Sequence, residues 1–293
     1  MAYNRRVPGA DLLPSVRLGT SSFATADWVG VFYPELTRPE EYLVRYAERL
    51  TTVEIDATFY RIPSERQVKG WDAKTPEGFL FAAKVPQSVT HDTGEGDALG
   101  DIDRFLDVMR LLGPKLGPLL FQFPYVSKAR EPEEYATGER FRDRLASLLD
   151  HLPPDLSYAV EVRNEKWIAP PLLDLLRARG VALAFIDYYT TPGMPRIARR
   201  PDAATAGFAY LRFLGNHREM DATVEAKARE GGRRWDGVVR DRSREMRSWV
   251  PAVRDLASRL RDVFVFFNNH YAGHAPGSIE LFRSIWEETP PAD

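Results

Sequence analysis

Seven polar side chains fall late in short apolar runs of this chain, at positions whose alternation sets them opposite the bulky residues around them. They are Glu54, Lys84, Gln122, Glu161, Arg163, Arg212 and Asn268. Two carboxylates, Glu54 and Glu161, can divide acid and base work when their surroundings hold their proton affinities apart. Arg163 stands two residues past Glu161, on the same face of an extended segment, and favours the ionised form of Glu161. Asp56 shares a face with Glu54 and adds a like charge. This pattern assigns Glu54 as proton donor or base and Glu161 as orienting carboxylate. A structural alternative uses the same letters, with both carboxylates simply paired to Lys84 and Arg163. Lys84 is a third candidate for catalysis, as an amine nucleophile, or else a phosphate clamp or a salt-bridged lysine. Arg163 and Arg212 present planar forks suited to carboxylate or phosphate, while Gln122, Asn268 and Asn269 add neutral hydrogen-bonding groups. The ligand this set fits best is small and anionic.

Isolated ions inside a dry protein cost several kcal/mol each unless paired, so the elements that carry these residues must bring them to one place. Eight apolar runs recur, at 16–21, 52–56, 80–85, 119–123, 158–163, 181–187, 208–213 and 263–268. Helix-period stretches lie between them, at 39–50, 102–112, 139–149, 170–179, 243–260 and 278–287, and Ser64 caps another. Eight strands alternating with helices over about 250 residues is the pattern of a (β/α)8 TIM barrel, an α/β fold in a single domain. A doubly wound sheet is the competitor, but no glycine-rich phosphate loop follows the first strand. Long loops are expected after strands 4, 6 and 7, at 124–137, 188–207 and 216–242. All three begin on the face where barrel active sites sit. Asp187 breaks the alternation, sharing parity with Leu183 and Phe185, and is read as lying just past the end of its strand, among the substrate-binding candidates.

Composition narrows the class. The 293 residues are 44% hydrophobic and 28% charged, with 40 Lys+Arg, 42 Asp+Glu and no cysteine. Zero cysteine removes disulfide scaffolds, thiolate metal sites and a cysteine nucleophile. A net charge of −2 excludes a globally basic nucleic-acid binder, though not a local patch. No apolar run reaches the roughly 18 residues of a membrane span, and the arginine pair near the start has no apolar segment behind it. A cytoplasmic protein is expected, with one domain over 16–288 and tails at 1–15 and 289–293.

Other chemistries need weighing. His91, His217, His270 and His274 follow strands 3, 7 and 8. With Glu54, Glu161 or Asp187 they could form a divalent-metal site, yet the plainer reading is loop histidines that hydrogen-bond, and no metal ligand is assigned. No cofactor is indicated. The aromatics Tyr60, Trp167, Tyr188 and Tyr189 could stack on a sugar ring, although the ends of strands 4 and 7 carry Gln122 and Arg212 where the commonest barrel glycosidases use carboxylates. A nucleic-acid-binding or -processing barrel, with or without a metal, is the rival from another class, and a non-catalytic ligand-binding module is the third reading of the same pocket. Arg196, Arg199 and Arg200 in 196–200, and Arg229, Arg233, Arg234, Arg240, Arg242 and Arg244 around 229–244, gather positive charge in two loops. Glu219, Asp221, Glu225, Glu230, Asp236 and Asp241 dilute it in the second.

The blocks VRLGTSSF with DWVGVFYP, then VEIDATFYRIPS, FLFAAKVPQSVTHD, LGPLLFQFP, YAVEVRNEKW, AYLRFLGN and FFNNHYAGHAP resemble the YecE-like family, domain of unknown function 72, over about 16–286. The resemblance implies a TIM barrel and leaves the reaction open. Carried over block by block, it marks Glu54, Thr58, Tyr60, Arg61, Lys84, His91, Gln122, Glu161, Arg163, Trp167, Arg212, Asn268 and Asn269, beside which His270 completes the substrate-binding candidates. The chain departs from the family pattern at 22–27, where Ser22-Phe23-Ala24-Thr25 replaces a Gly-Trp-Ser-Tyr-like stretch. It departs again after Arg212, where Leu214-Gly215-Asn216-His217 stands in place of a shorter His-Gly.

Overall fold

The computed structural model describes residues 15–91 and 97–290. Most of the expected 1–15 tail, and 291–293 of the expected C-terminal tail, lie outside them. The strands are β1 (Val16–Thr20), β2 (Thr52–Ile55), β3 (Leu80–Lys84), β4 (Leu116–Gln122), β5 (Tyr158–Glu161), β6 (Ala182–Tyr188), β7 (Phe208–Gly215) and β8 (Asp262–Phe267). They pair in parallel in the order β1-β8-β7-β6-β5-β4-β3-β2. With helices packed around them, they form the nearly closed single-domain barrel that the alternation predicts.

Parity sorts the core into two layers. Val53, Phe81, Phe121, Val160, Leu211 and Val265 face the helices in one large apolar cluster. Ala82, Leu120, Ala159, Ala182, Ala184, Phe208, Tyr210, Phe264 and Phe266 fill the interior. Small side chains on β3, β5 and β6 leave room for the aromatics of β7 and β8, so the interior is packed rather than open.

The barrel closes between β1 and β2 by close approach. A Cβ on Gly19 would stand 2.5 Å from the Thr52 carbonyl oxygen, so only glycine fits. The fully buried Tyr46 hydroxyl bridges the seam, accepting from the Thr20 backbone N–H at 2.9 Å and donating to the Thr52 carbonyl at 3.0 Å.

Helix starts follow local chemistry. Ser64 caps Glu65–Ala73 by accepting from the Gln67 N–H, and Asn216 caps His217–Arg229. The latter helix occupies much of the interval expected to be a loop after β7. Only Met220 and Val224 of it are buried, so no broad apolar stripe announced it. The interval after β6 holds the shorter Met194–Ala198 helix. The expected 278–287 helix starts earlier, at Ala275, because His274 caps it and Pro276 suits its first turn. Among the described residues, no helix is long and apolar enough to cross a membrane.

Candidate active site at the barrel mouth

Glu54, Glu161 and Arg212 come from β2, β5 and β7, and all three are buried. Arg212 donates through Nε to Glu54 Oε2 at 2.8 Å and through Nη2 to Glu54 Oε1 at 2.8 Å. Its Nη1 donates to Glu161 Oε2 at 2.5 Å. Tyr210 adds a hydroxyl donated to Glu54 Oε2 at 2.6 Å. Arg163 donates through Nε to the remaining Glu161 oxygen at 2.7 Å. Every carboxylate oxygen of this floor has a donor, as buried charges require. Burial alone would raise the Glu161 carboxyl, but the charges of Arg212 and Arg163 outweigh it and hold it at about 2.

A second layer sits on this floor. Lys84 Nζ lies 3.2 Å from Asp56 Oδ1, an ionic contact that leaves this oxygen without a hydrogen bond. The ammonium also rides 3.9 Å over the Phe59 ring. Burial pushes the Lys84 amine down, and the negative charge of Asp56 opposes this only in part. The Arg163 guanidinium stacks over Tyr188 at 4.2 Å, and among the described residues only its Nε meets a carboxylate. His91 is lowered first by burial and then by the charges of Lys84 and Arg163, and its ring stands edge-on to Phe59 with centroids 5.1 Å apart. Its Nδ1 lies 2.9 Å from the Thr90 hydroxyl.

Histidines close the β7 and β8 side. His217 and His270 stack with centroids 4.2 Å apart, and His270 Nε2 lies 3.2 Å from Asp221. Burial, then His270 and Arg163, hold His217 at about 4, so it is neutral near pH 7 with a buried and unpaired Nε2. Asn268 Oδ1 accepts from the His270 N–H at 3.0 Å, and Asn269 Oδ1 accepts from the Ala275 N–H at 2.9 Å. Next to them, at the ends of β1, β2 and β8, opens a cavity of about 200 Å³ whose lining includes Ser21, Trp28, Asp56, Asn268 and Asn269.

The structure therefore brings together Glu54, Lys84, Glu161, Arg163 and Arg212, with His91, Asn268, Asn269 and His270 around them. Gln122 is buried opposite Glu161 on β4, its amide donating to the Phe123 carbonyl at 3.2 Å. Tyr60 is 71% exposed with its ring edge-on to Phe59, and Arg61 is exposed beside it. Two candidates fall elsewhere. The Trp167 indole is buried, stacks on Phe141 at 4.9 Å and donates to the Glu134 carbonyl at 3.1 Å. Asp187 does not lie past the strand end. It belongs to β6 and keeps the helix-facing parity of Leu183 and Phe185, accepting from Trp249 Nε1 at 2.9 Å and the Tyr271 hydroxyl at 3.1 Å.

Sequence reasoning left Tyr210 and Trp28 out of the site and read His217 as a hydrogen-bonding loop histidine, with a metal site as the alternative. Tyr210 was accessible through parity, since it alternates with Leu211 on the same strand as Arg212. Among the described residues no group of three or more acidic or histidine side chains converges as a metal site. In the arginine-rich segments, Arg233 pairs with Asp236, Arg234 with Asp221 and Glu225, Arg240 with Glu219, and Arg242 with Glu245. Much of that positive charge is neutralised locally.

An eight-stranded parallel barrel with a polar cluster at the carboxyl ends of its strands is a TIM-barrel protein. The chain belongs to the family described as protein of unknown function DUF72, whose model matches residues 17–292. It is 28% identical over 259 residues to UPF0759 protein YunF of Bacillus subtilis (strain 168), a match covering 83% of this chain and 86% of that one. It is 27% identical over 159 residues to UPF0759 protein YecE of Escherichia coli (strain K12), over about half of each chain. Among solved structures, a DUF72 family protein from Thermotoga maritima MSB8 superposes with a TM-score of 0.67 at 29% identity, covering 93% of this chain and 98% of that one.

Proposed function

We propose that the barrel mouth binds a small phosphate- or carboxylate-bearing substrate and moves a proton on it. Lys84 and Arg163 are the anion-binding groups, and Lys84 with Asp56 handles the proton. The observation that carries this reading is the division between floor and rim. The floor carboxylates are saturated by Arg212, Arg163 and Tyr210, whereas among the described residues Lys84 has a single ionic contact, with Asp56, and Arg163 meets a carboxylate through Nε alone. A lysine whose burial lowers its proton affinity, beside a carboxylate, gives up a proton more readily than an exposed lysine. In this reading Glu54 and Glu161 position Arg212 and Arg163 rather than react. That division of labour differs from an acid/base pair of glutamates, because a carboxylate with every oxygen engaged by strong donors is a poor proton acceptor.

Calorimetric titration with inorganic phosphate, propyl phosphate and succinate tests the binding. The expected result is saturable binding of at least one probe, at least about tenfold weaker in Arg163→Ala, since a charge-assisted hydrogen bond is worth about 1.5–3 kcal/mol. Deuterium uptake from solvent into a bound ligand, followed by NMR and abolished in Lys84→Met, tests the proton transfer. No binding of any probe, or binding indifferent to both substitutions, overturns the proposal.

A further inference from the structure

We propose that the cavity at the ends of β1, β2 and β8 is a subsite for the hydroxylated part of a polyol phosphate, its phosphate seated on Lys84 and Arg163. Two buried polar atoms among the residues lining that cavity, Ser21 Oγ and Trp28 Nε1, have no hydrogen-bond partner, and Asp56 Oδ1 has only its ionic contacts with Lys84 and Arg212. Trp28 is 1% exposed and Ser21 4%, so neither atom is satisfied by bulk solvent. Leaving such groups unpaired costs about 1–3 kcal/mol each, a cost that a ligand filling the cavity would remove.

The chemistry of the lining selects the ligand. The indole N–H is a pure donor, and the serine hydroxyl both donates and accepts. Asn268 and Asn269 have committed their oxygens to backbone N–H groups, which leaves their amide N–H groups as further donors. Asp56 is an acceptor and carries negative charge. An anion in this cavity would meet the Asp56 carboxylate, and a cation would meet the donors. Hydroxyl groups suit both, donating to Asp56 and accepting from Trp28, Asn268 or Asn269. The volume of about 200 Å³ lies below the roughly 300–1,000 Å³ of pockets for larger ligands and so admits one small polyol. Asp56 lines this cavity and also contacts Lys84, and in this proposal one small molecule spans the two subsites across it.

The phosphate end rests on the function proposed above, whereas the polyol end rests on the cavity alone. Titration with glycerol 3-phosphate, ribose 5-phosphate, propyl phosphate, inorganic phosphate and free ribose separates them. The polyol phosphates are expected to bind at least about tenfold tighter than propyl phosphate, as two or more added hydrogen bonds allow. Ser21→Ala and Trp28→Phe are each expected to erase most of that preference while leaving propyl phosphate affinity unchanged. Should Trp28→Phe fail to fold, Ser21→Ala decides alone. Equal affinity for propyl and polyol phosphates, or a preference untouched by the substitutions, overturns the subsite and leaves the anion site standing. Ribose bound through Ser21 with no phosphate ester bound overturns the anion site and leaves the subsite. No binding of any probe overturns both.

Discussion

Arg212 on β7 and Glu54 on β2 join two separate walls of the barrel through paired hydrogen bonds of 2.8 Å, across 158 residues of sequence. The same guanidinium reaches Glu161 on β5, so one side chain ties three strands at the depth where the interior turns from apolar to polar. Arg212→Ala strands two buried carboxylates and is expected to cost about 3–5 kcal/mol. Arg212→Lys should recover little of this, because a single ammonium cannot reproduce the fork. Urea unfolding gives the number. A loss below 1 kcal/mol for the alanine variant would show that the floor is not held this way.

Acid should weaken this floor in a defined window. Glu161 is held at about 2 against an ordinary value of 4.5, so its contribution is fully present above about 4.5 and is lost as pH falls toward about 2. Melting temperatures between pH 2 and 6 should fall less steeply in Glu161→Gln than in the wild type. Parallel curves would contradict the assignment.

His217 acts in a different range with the opposite chemistry. Its folded value of about 4 lies below the ordinary 6.5, so the unfolded chain binds the extra proton and stability declines as pH drops from about 6.5 to about 4. His217→Gln should flatten part of that decline. His274, also buried and held at about 4, adds to the same decline, as do His91 and His270, both lowered by burial.

The β1–β2 seam offers a test of closure independent of the site. Gly19→Ala forces a methyl against the Thr52 carbonyl and should cost about 1–3 kcal/mol by overpacking. Tyr46→Phe removes the bridging hydroxyl and should cost a similar 1–3 kcal/mol or so, with faster hydrogen exchange at the Thr20 amide. Unchanged exchange at Thr20 would show that the seam is held by other contacts.

Asp187 separates structural from ligand-facing carboxylates. Asp187→Ala leaves the Trp249 and Tyr271 donors without their acceptor and should lower stability by about 1–3 kcal/mol while leaving phosphate affinity within twofold or so. A tenfold loss of affinity would return Asp187 to the ligand site.

Alternation along single strands was enough to separate Glu54 from Val53 and Arg212 from Leu211, because side-chain direction in a strand has a period of two and depends only on local backbone geometry. The same rule also placed Asp187 on the helix side, and treating it as an exception was the error. Trp167 was legible as an aromatic but not as a packing residue, since nothing near it in sequence shows Phe141 beneath its ring. The helix His217–Arg229 was hidden for a related reason, as a mostly solvated helix carries little hydrophobic periodicity.

The letters of this chain alone determined eight parallel strands and the face each polar side chain takes, since both follow from short-range spacing. Only the closed barrel decided that Arg212 would take both glutamates, that among the described residues Arg163 would meet a carboxylate through Nε alone, and that Ser21, Trp28 and Asp56 would border one cavity. Those partnerships depend on which strand ends meet in space, and residues far apart in sequence carry no local mark of the neighbours that closure brings them.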